Sequence, residues 1–99
     1  MLHFGDKYKC FKTKQDAYAY YNSKILDACK VTTSTRSDAG LAVLAGVSAS
    51  FVSLIRKGDK LIPYSCLCKW IQFIADECTL SFIELAYQDS MMISVYWNK

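Results

Sequence analysis

The chain has 99 residues, of which 53% are hydrophobic and 21% are charged, and its formal net charge is +3 at pH 7. This length suits one domain with a single core, here spanning residues 1–99, and is too short for two. Because no segment approaches the roughly 20 uncharged apolar residues of a membrane span, we expect a soluble globular protein.

Positive charge is concentrated in residues 1–60, which contain ten Lys and Arg against five Asp and Glu, whereas residues 61–99 contain two against four. A basic half of this kind is what a polyanion-binding surface needs, although scattered solvated lysines give the same balance.

The cysteines and the N-terminus both indicate a cytoplasmic protein. The N-terminal residues lack the apolar stretch of a secretory signal. The five cysteines form an odd set without a CxxC pair, so they are expected to be core residues in a reducing compartment rather than disulfides or metal ligands. They are Cys10, Cys29, Cys66, Cys68 and Cys78.

Residues 2–12 place aromatic and apolar side chains on both sides of the turn-prone pair Gly5-Asp6, which predicts a small β-hairpin. Thr13, with Asp16 three residues later, predicts the start of the first long helix. One apolar face of that helix, through about Lys30, is expected to lie across the segment that follows. Its residues are Tyr18, Tyr21, Ile25 and Cys29.

Residues 38–58 predict two short helices joined by a tight turn, after a Thr- and Ser-rich loop over 31–37. The inner stripe of the first helix contains Leu41 and Ala45, and that of the second contains Val52 and Ile55. Phe51, beside this stripe, either closes the core or presents an aromatic surface.

The ends of these two helices are marked by residues with suitable capping chemistry. Ser37 and Ser48 can each accept hydrogen bonds from the free N–H groups of the helix that follows. Gly46 and Gly58 can adopt the left-handed conformation that ends a helix.

Small, apolar and turn-forming residues run in register through this segment: Ala42, Gly46, Val47, Ser48, Val52, Ser53, Ile55, Gly58 and Pro63. The series resembles the helix-turn-helix of the XRE family, the phage Cro and repressor group of DNA-binding proteins. The resemblance covers residues 14–90 and implies a mainly all-α fold, a compact lambda-repressor-like bundle of four or five helices.

Two more helices are predicted after Pro63, which excludes a continuous helix at that point. The first begins at Ser65 and ends near Asp76-Glu77, with an apolar face of Leu67, Trp70, Ile71 and Ile74. The second begins at a capping box over 81–84. Its inward residues are expected to be Phe82, Leu85 and Ala86.

Residues 91–99 alternate apolar and polar side chains around Ile93, Val95 and Trp97, which is typical of a β-strand. Such a strand needs a partner: residues 2–11 of its own chain, or the same tail of a second copy, which resembles the way some Cro-type proteins dimerise. Extension of the last helix is the alternative.

The resemblance implies that the second helix, after residue 48, enters the major groove of DNA. Its capping and outward residues are candidate base contacts: Ser48, Ala49, Ser50, Ser53 and Leu54. Candidate phosphate contacts are basic residues nearby: Lys57, Lys60, Arg36 and Arg56. Asp38 stands where the family often has Gln, and its carboxylate would repel phosphate, although Asp in a first turn also favours the helix dipole.

These features predict a sequence-specific transcriptional regulator, a repressor of phage or mobile-element type, that binds a palindromic operator in double-stranded DNA as a homodimer. The alternative is a protein–protein interaction module on the same fold, such as an antirepressor or an inhibitor of a host protein, because the outward positions lack Gln, Arg and Asn. No catalytic triad, carboxylate pair or phosphate-binding glycine loop is evident, so we expect neither an enzyme nor a cofactor.

Overall fold

The longest helix, α1 (Lys14–Thr32), is the scaffold on which the other helices of this computed structural model assemble. The structure describes residues 6–97. A 3₁₀ turn over Asp6–Tyr8 precedes α1. The remaining helices are α2 (Asp38–Ala45), α3 (Ala49–Lys57), α4 (Tyr64–Ile71), α5 (Glu77–Met91) and α6 (Ile93–Trp97).

Helix α1 begins as its sequence predicts, because the Thr13 side chain accepts a hydrogen bond from the Asp16 N–H at 3.0 Å. Tyr21, Ile25 and Cys29 are buried on the predicted face, whereas Tyr18 is only partly buried. This face packs against α3 and α5. The prediction that α1 lies across the helix-turn-helix segment is therefore confirmed.

The main core lies between α1 and the helices that follow it, and Trp70 of α4 is its largest fully buried side chain. The Trp70 indole N–H donates to the Leu41 carbonyl of α2 at 2.9 Å, which satisfies the indole inside the core. Helix α4 is shorter than expected, since it ends at Ile71. Ile74 lies beyond its end but still packs against the core.

Helix α5 differs from its prediction in both its start and its orientation. It begins at Glu77, where the Asp76 carboxylate accepts from the Thr79 N–H at 2.8 Å, so the predicted start at residue 81 is wrong. Phe82 and Leu85 are exposed, whereas Ile83 and Ala86 are buried. Helix α5 carries apolar residues on two faces, so the sequence pattern alone does not show which face is buried. Packing against α1 decides it.

The predicted terminal strands are also wrong where the structure describes them. Residues 6–8 form the 3₁₀ turn and residues 9–12 form no strand, whereas residues 2–5 of the predicted hairpin lie outside the described part. The tail over Ile93–Trp97 is helical, and Ile93 is fully buried. Burial against neighbouring side chains overrode the β propensity of the tail.

The two terminal segments meet through aromatic rings rather than through backbone pairing. The Tyr8 ring centroid lies 5.3 Å from that of Tyr96 and 6.1 Å from that of Trp97. The Tyr8 hydroxyl donates to the Asp89 carbonyl at 2.7 Å. Together with Tyr21 and Ile93, these rings form a second, smaller core, so the tail contributes to the monomer's own fold.

The cysteines are all free thiols, and only some are core residues. Cys29 and Cys66 are buried and Cys68 is partly buried, but Cys10 and Cys78 are exposed, so the core prediction is wrong for those two. Burial raises the pKa of the Cys29 thiol to about 12.

Within residues 6–97, no single helix is long and apolar enough to cross a membrane. Helices α2 and α3 taken together have the length and composition of a span, but the pair is bent by 118°.

Candidate nucleic-acid interface

Helices α2 and α3 are joined by a three-residue turn that bends the chain by 118°. Gly46 adopts the left-handed conformation at φ 71° and ψ 30°. The Val47 N–H donates to the Ala42 carbonyl at 3.0 Å and so caps the C-terminal end of α2. The Ser48 hydroxyl accepts from the Phe51 N–H at 3.1 Å and so caps α3. An angle and a turn length of this kind are those of a helix-turn-helix.

The inner faces of this unit are buried, as predicted. Leu41, Val52 and Ile55 are fully buried, and Ala45 is almost so. Phe51 is partly buried against the main core, and the Lys60 ammonium lies 5.8 Å from its ring centroid. Phe51 therefore closes the edge of the core while its ring supports a cation at the surface.

The outer face of α3 is open, and most of the predicted base-contacting residues lie on it. The exposed residues of this set are Ser48, Ala49, Ser50 and Ser53. Leu54 is partly buried. The face thus offers hydroxyl and methyl groups, and nothing within the described chain covers it.

Lys57 and Lys60 lie exposed at the C-terminal end of this face, and Arg36 is exposed just before α2. The left-handed Gly58, at φ 86°, reverses the chain between the two lysines. Gly58 is itself buried because α1 passes directly over it: a Cβ atom here would overlap the Gln15 carbonyl oxygen. The positions of Lys57 and Lys60 are therefore fixed by contact with α1.

Arg56 points elsewhere, into a cluster of charges between α1, α2 and α3. Its Nε and Nη2 donate to the Asp38 carboxylate at 2.6 and 2.8 Å, and Nη2 also donates to Asp27 at 2.9 Å. Lys30 adds a fourth charge, 3.5 Å from Asp38. The Arg56 hydrogen bond holds the pKa of Asp38 below its ordinary value of 3.8.

Two amide side chains of α1, which the sequence analysis did not single out, fix the end of α3. The Gln15 amide donates to the Lys57 carbonyl at 3.2 Å and to Asp59 at 2.6 Å. The buried Asn22 amide donates to the Ile55 and Lys60 carbonyls, each at 3.0 Å. The signal in the sequence was a polar residue, Asn22, within an otherwise apolar helix face.

The Ser90 hydroxyl of α5 donates to Oδ1 of the Asn22 side-chain amide at 3.3 Å, so both ends of this buried amide are hydrogen-bonded. In the part of the chain that the structure describes, no group of three or more His, Cys, Asp or Glu side chains is placed to hold a metal ion.

Comparison of the chain with protein-family models, with curated proteins and with solved structures finds no match.

Proposed function

We propose that this protein is a small sequence-specific DNA-binding regulator of the repressor type, in which α3 enters the major groove. The observation that carries the proposal is the open, serine-capped face of α3 with Lys57 and Lys60 exposed at its end. The order of α1–α5, the 118° bend and the glycine-ended helices support a lambda-repressor-like arrangement, as the resemblance to the XRE family implies.

Base recognition falls to the first turns of α3. The hydroxyls of Ser50 and Ser53 can donate to or accept from base edges, and Ala49 and Leu54 can pack on thymine methyl groups. None of these side chains forms the bidentate pairs that discriminate guanine or adenine strongly. Direct recognition is therefore modest and weighted toward A·T steps, with DNA shape contributing the remainder.

Phosphate binding supplies most of the affinity, through Lys57, Lys60 and Arg36. Arg56 is not among the proposed phosphate contacts, because Asp38 and Asp27 already bind its guanidinium. The ion pair of Arg56 with Asp38 also weakens the argument that the Asp38 carboxylate would repel DNA. The Asp38 carboxylate is neutralised by Arg56 and Lys30, so it repels a nearby phosphate far less than an isolated carboxylate would.

One such domain contacts few base pairs, so the regulator acts as a homodimer on a palindromic operator. Two copies placed about 34 Å apart would occupy successive major grooves. The proposed setting is a phage or another mobile element, as the family resemblance implies.

The second candidate is a protein–protein module on the same fold. The observation that favours it is the chemistry of the α3 face, whose described residues include no Gln, Asn or unpaired Arg. Such a module would bind a host or phage protein and would not select a DNA sequence.

Selection of bound fragments from random double-stranded DNA, followed by sequencing, separates the two candidates. Enrichment of a palindromic motif by the wild-type protein, and its loss in Lys57→Glu, would support the regulator. Recovery of no motif, or of the same motif with the same enrichment in both proteins, would contradict the proposed contact of α3 with DNA.

A further inference from the structure

Helix α5 presents an uncovered apolar surface, which we call the α5 outer face: Val31 of α1 with Cys78, Phe82 and Leu85 of α5. The side chains of this face are far more exposed than core residues are, with Val31 at 79%, Leu85 at 62% and Phe82 at 47%. A contiguous apolar surface of this kind is normally an interaction site in a folded protein.

The α5 outer face contains two shallow, open grooves. A groove of about 360 Å³ lies between α1 and α5 and is lined by Ala28, Val31, Thr32, Cys78, Thr79 and Phe82. Another, of about 510 Å³, lies beside it along α5, and Phe82 lines both. Phe82 therefore borders both shallow grooves, with Leu85 one turn further on. A copy of the same surface can place its Phe82 and Leu85 side chains against these grooves.

Charges of both signs border the α5 outer face. Among the residues that line the groove between α1 and α5, only Cys78 is ionisable. Lys24 flanks the face with its ammonium 6.0 Å from the Phe82 ring centroid, and Glu77 lines the second groove. Since both signs border one surface, a two-fold axis can bring the basic edge of each copy toward the acidic edge of the other.

The size of the face fits a modest dimer. A helix of 15 residues is about 22 Å long. A standard interface buries about 800 Å² on each partner, and one face of a helix of this length, with the adjoining end of α1, fits the smaller interfaces. Ile93 of the tail is already buried within the monomer, so its side chain is not available for a dimer contact.

We infer that a second copy of this chain covers the α5 outer face, with Phe82 and Leu85 of each copy entering the grooves of the other. Its biological role, the spacing of two α3 helices on an operator, rests on the proposed function. The interface itself does not, so it is tested without DNA.

Sedimentation velocity over a wide range of protein concentrations measures the association directly. The wild type should show a reversible monomer–dimer equilibrium. Leu85→Glu should raise the dimer dissociation constant by about a hundredfold or more, because an unpaired carboxylate would be buried at the contact. The control Leu61→Glu, at a residue that is 45% exposed in the loop before α4, should leave dimerisation unchanged.

The native cysteines give a second measurement that needs no mutation. Alkylation of Cys78 should slow several-fold as protein concentration rises, whereas alkylation of Cys10, which is exposed and lines neither groove, should keep the same rate. Circular dichroism checks that Leu85→Glu is folded. A wild type that stays monomeric with Cys78 equally reactive throughout, or a Leu85→Glu dimer as tight as the wild type, would overturn the inference.

Lys57→Glu separates this result from the proposed function. It should dimerise as the wild type does while binding DNA weakly. If the wild type dimerises but selects no DNA sequence, the proposed function is contradicted and the proposed interface is supported. If it selects a DNA sequence as a monomer, the interface is contradicted and DNA binding is supported.

Discussion

The guanidinium of Arg56 binds the carboxylate of Asp38 through two hydrogen bonds, from Nε at 2.6 Å and from Nη2 at 2.8 Å. This pair connects the last turn of α3 to the first turn of α2, and Asp27 extends it to α1. Two residues that seemed to matter for DNA through their charge therefore hold the helix-turn-helix unit together. Their side chains are only about one-third exposed, so solvent screens the pair incompletely.

Replacement of Arg56 by Ala should lower the free energy of unfolding by about 1–2 kcal/mol, because it removes a bidentate pair and leaves Asp38 with Lys30 alone. Urea unfolding measures the change. Arg36→Ala is the matched control, since Arg36 is exposed, and it should cost less than about 0.5 kcal/mol. Equal costs in the two variants would show that the Arg56 pair contributes nothing.

The stability that Asp38 provides should depend on pH. Because folding lowers the pKa of Asp38 below 3.8, its contribution is complete above that ordinary value and is lost as pH falls through the lowered value. Asp38→Asn should therefore destabilise the protein at neutral pH, and the difference from wild type should shrink in acid. Urea unfolding at several pH values tests this, and a difference that stays constant with pH would contradict it.

Reversal of the charge at Lys57, in Lys57→Glu, should weaken binding to every DNA sequence and reduce the slope of log affinity against log salt by about one. Fluorescence anisotropy at two salt concentrations measures both effects. Lys9→Glu makes the same charge change in the N-terminal segment, where Lys9 pairs with Asp6, and should alter neither. Unchanged affinity in Lys57→Glu at both salt concentrations would exclude a phosphate contact there.

The two helix-ending glycines should tolerate alanine very differently. Both have positive φ, which costs a non-glycine residue about 1–2 kcal/mol. A Cβ atom at Gly46 would have only the flexible Lys69 ammonium nearby, at 3.7 Å, so Gly46→Ala should cost about that amount. At Gly58 it would overlap the backbone of α1, so Gly58→Ala should cost more than about 3 kcal/mol. Urea unfolding measures the cost of each variant, and equal costs would contradict the close approach of α1 to Gly58.

Truncation of Ile93 should affect folding rather than assembly. Ile93 is fully buried in the smaller core, so Ile93→Ala should cost about 2–4 kcal/mol. Sedimentation of the folded variant should show an unchanged association, in contrast to the expectation from sequence that the tail pairs two chains. Val95→Ala, at a half-exposed residue of the same helix, is the control and should cost little. If the folded Ile93→Ala variant were monomeric, that result would favour the tail as the dimer contact.

The sequence by itself determined how the first three helices begin and how α2 and α3 end. Thr13, Ser37 and Ser48 cap helices as predicted, and Gly46 and Gly58 end them. These features depend on chemistry within about one helical turn, where the identity of one residue decides whether a free N–H group or a left-handed backbone is accommodated. The inner stripes of α2 and α3 followed from periodicity for the same reason.

Only the tertiary structure decided which of the two apolar faces of α5 is buried, how the tail folds, and where Arg56 points. Each depends on a partner far along the chain: Arg56 lies 18 residues from Asp38, and Tyr8 lies 81 residues from Asp89. Local propensity is a small preference compared with the free energy of burying a face or pairing a charge. The packing of α1 against its neighbours therefore determined these outcomes, and with them which surfaces remain exposed, including the two proposed to bind DNA and a second copy.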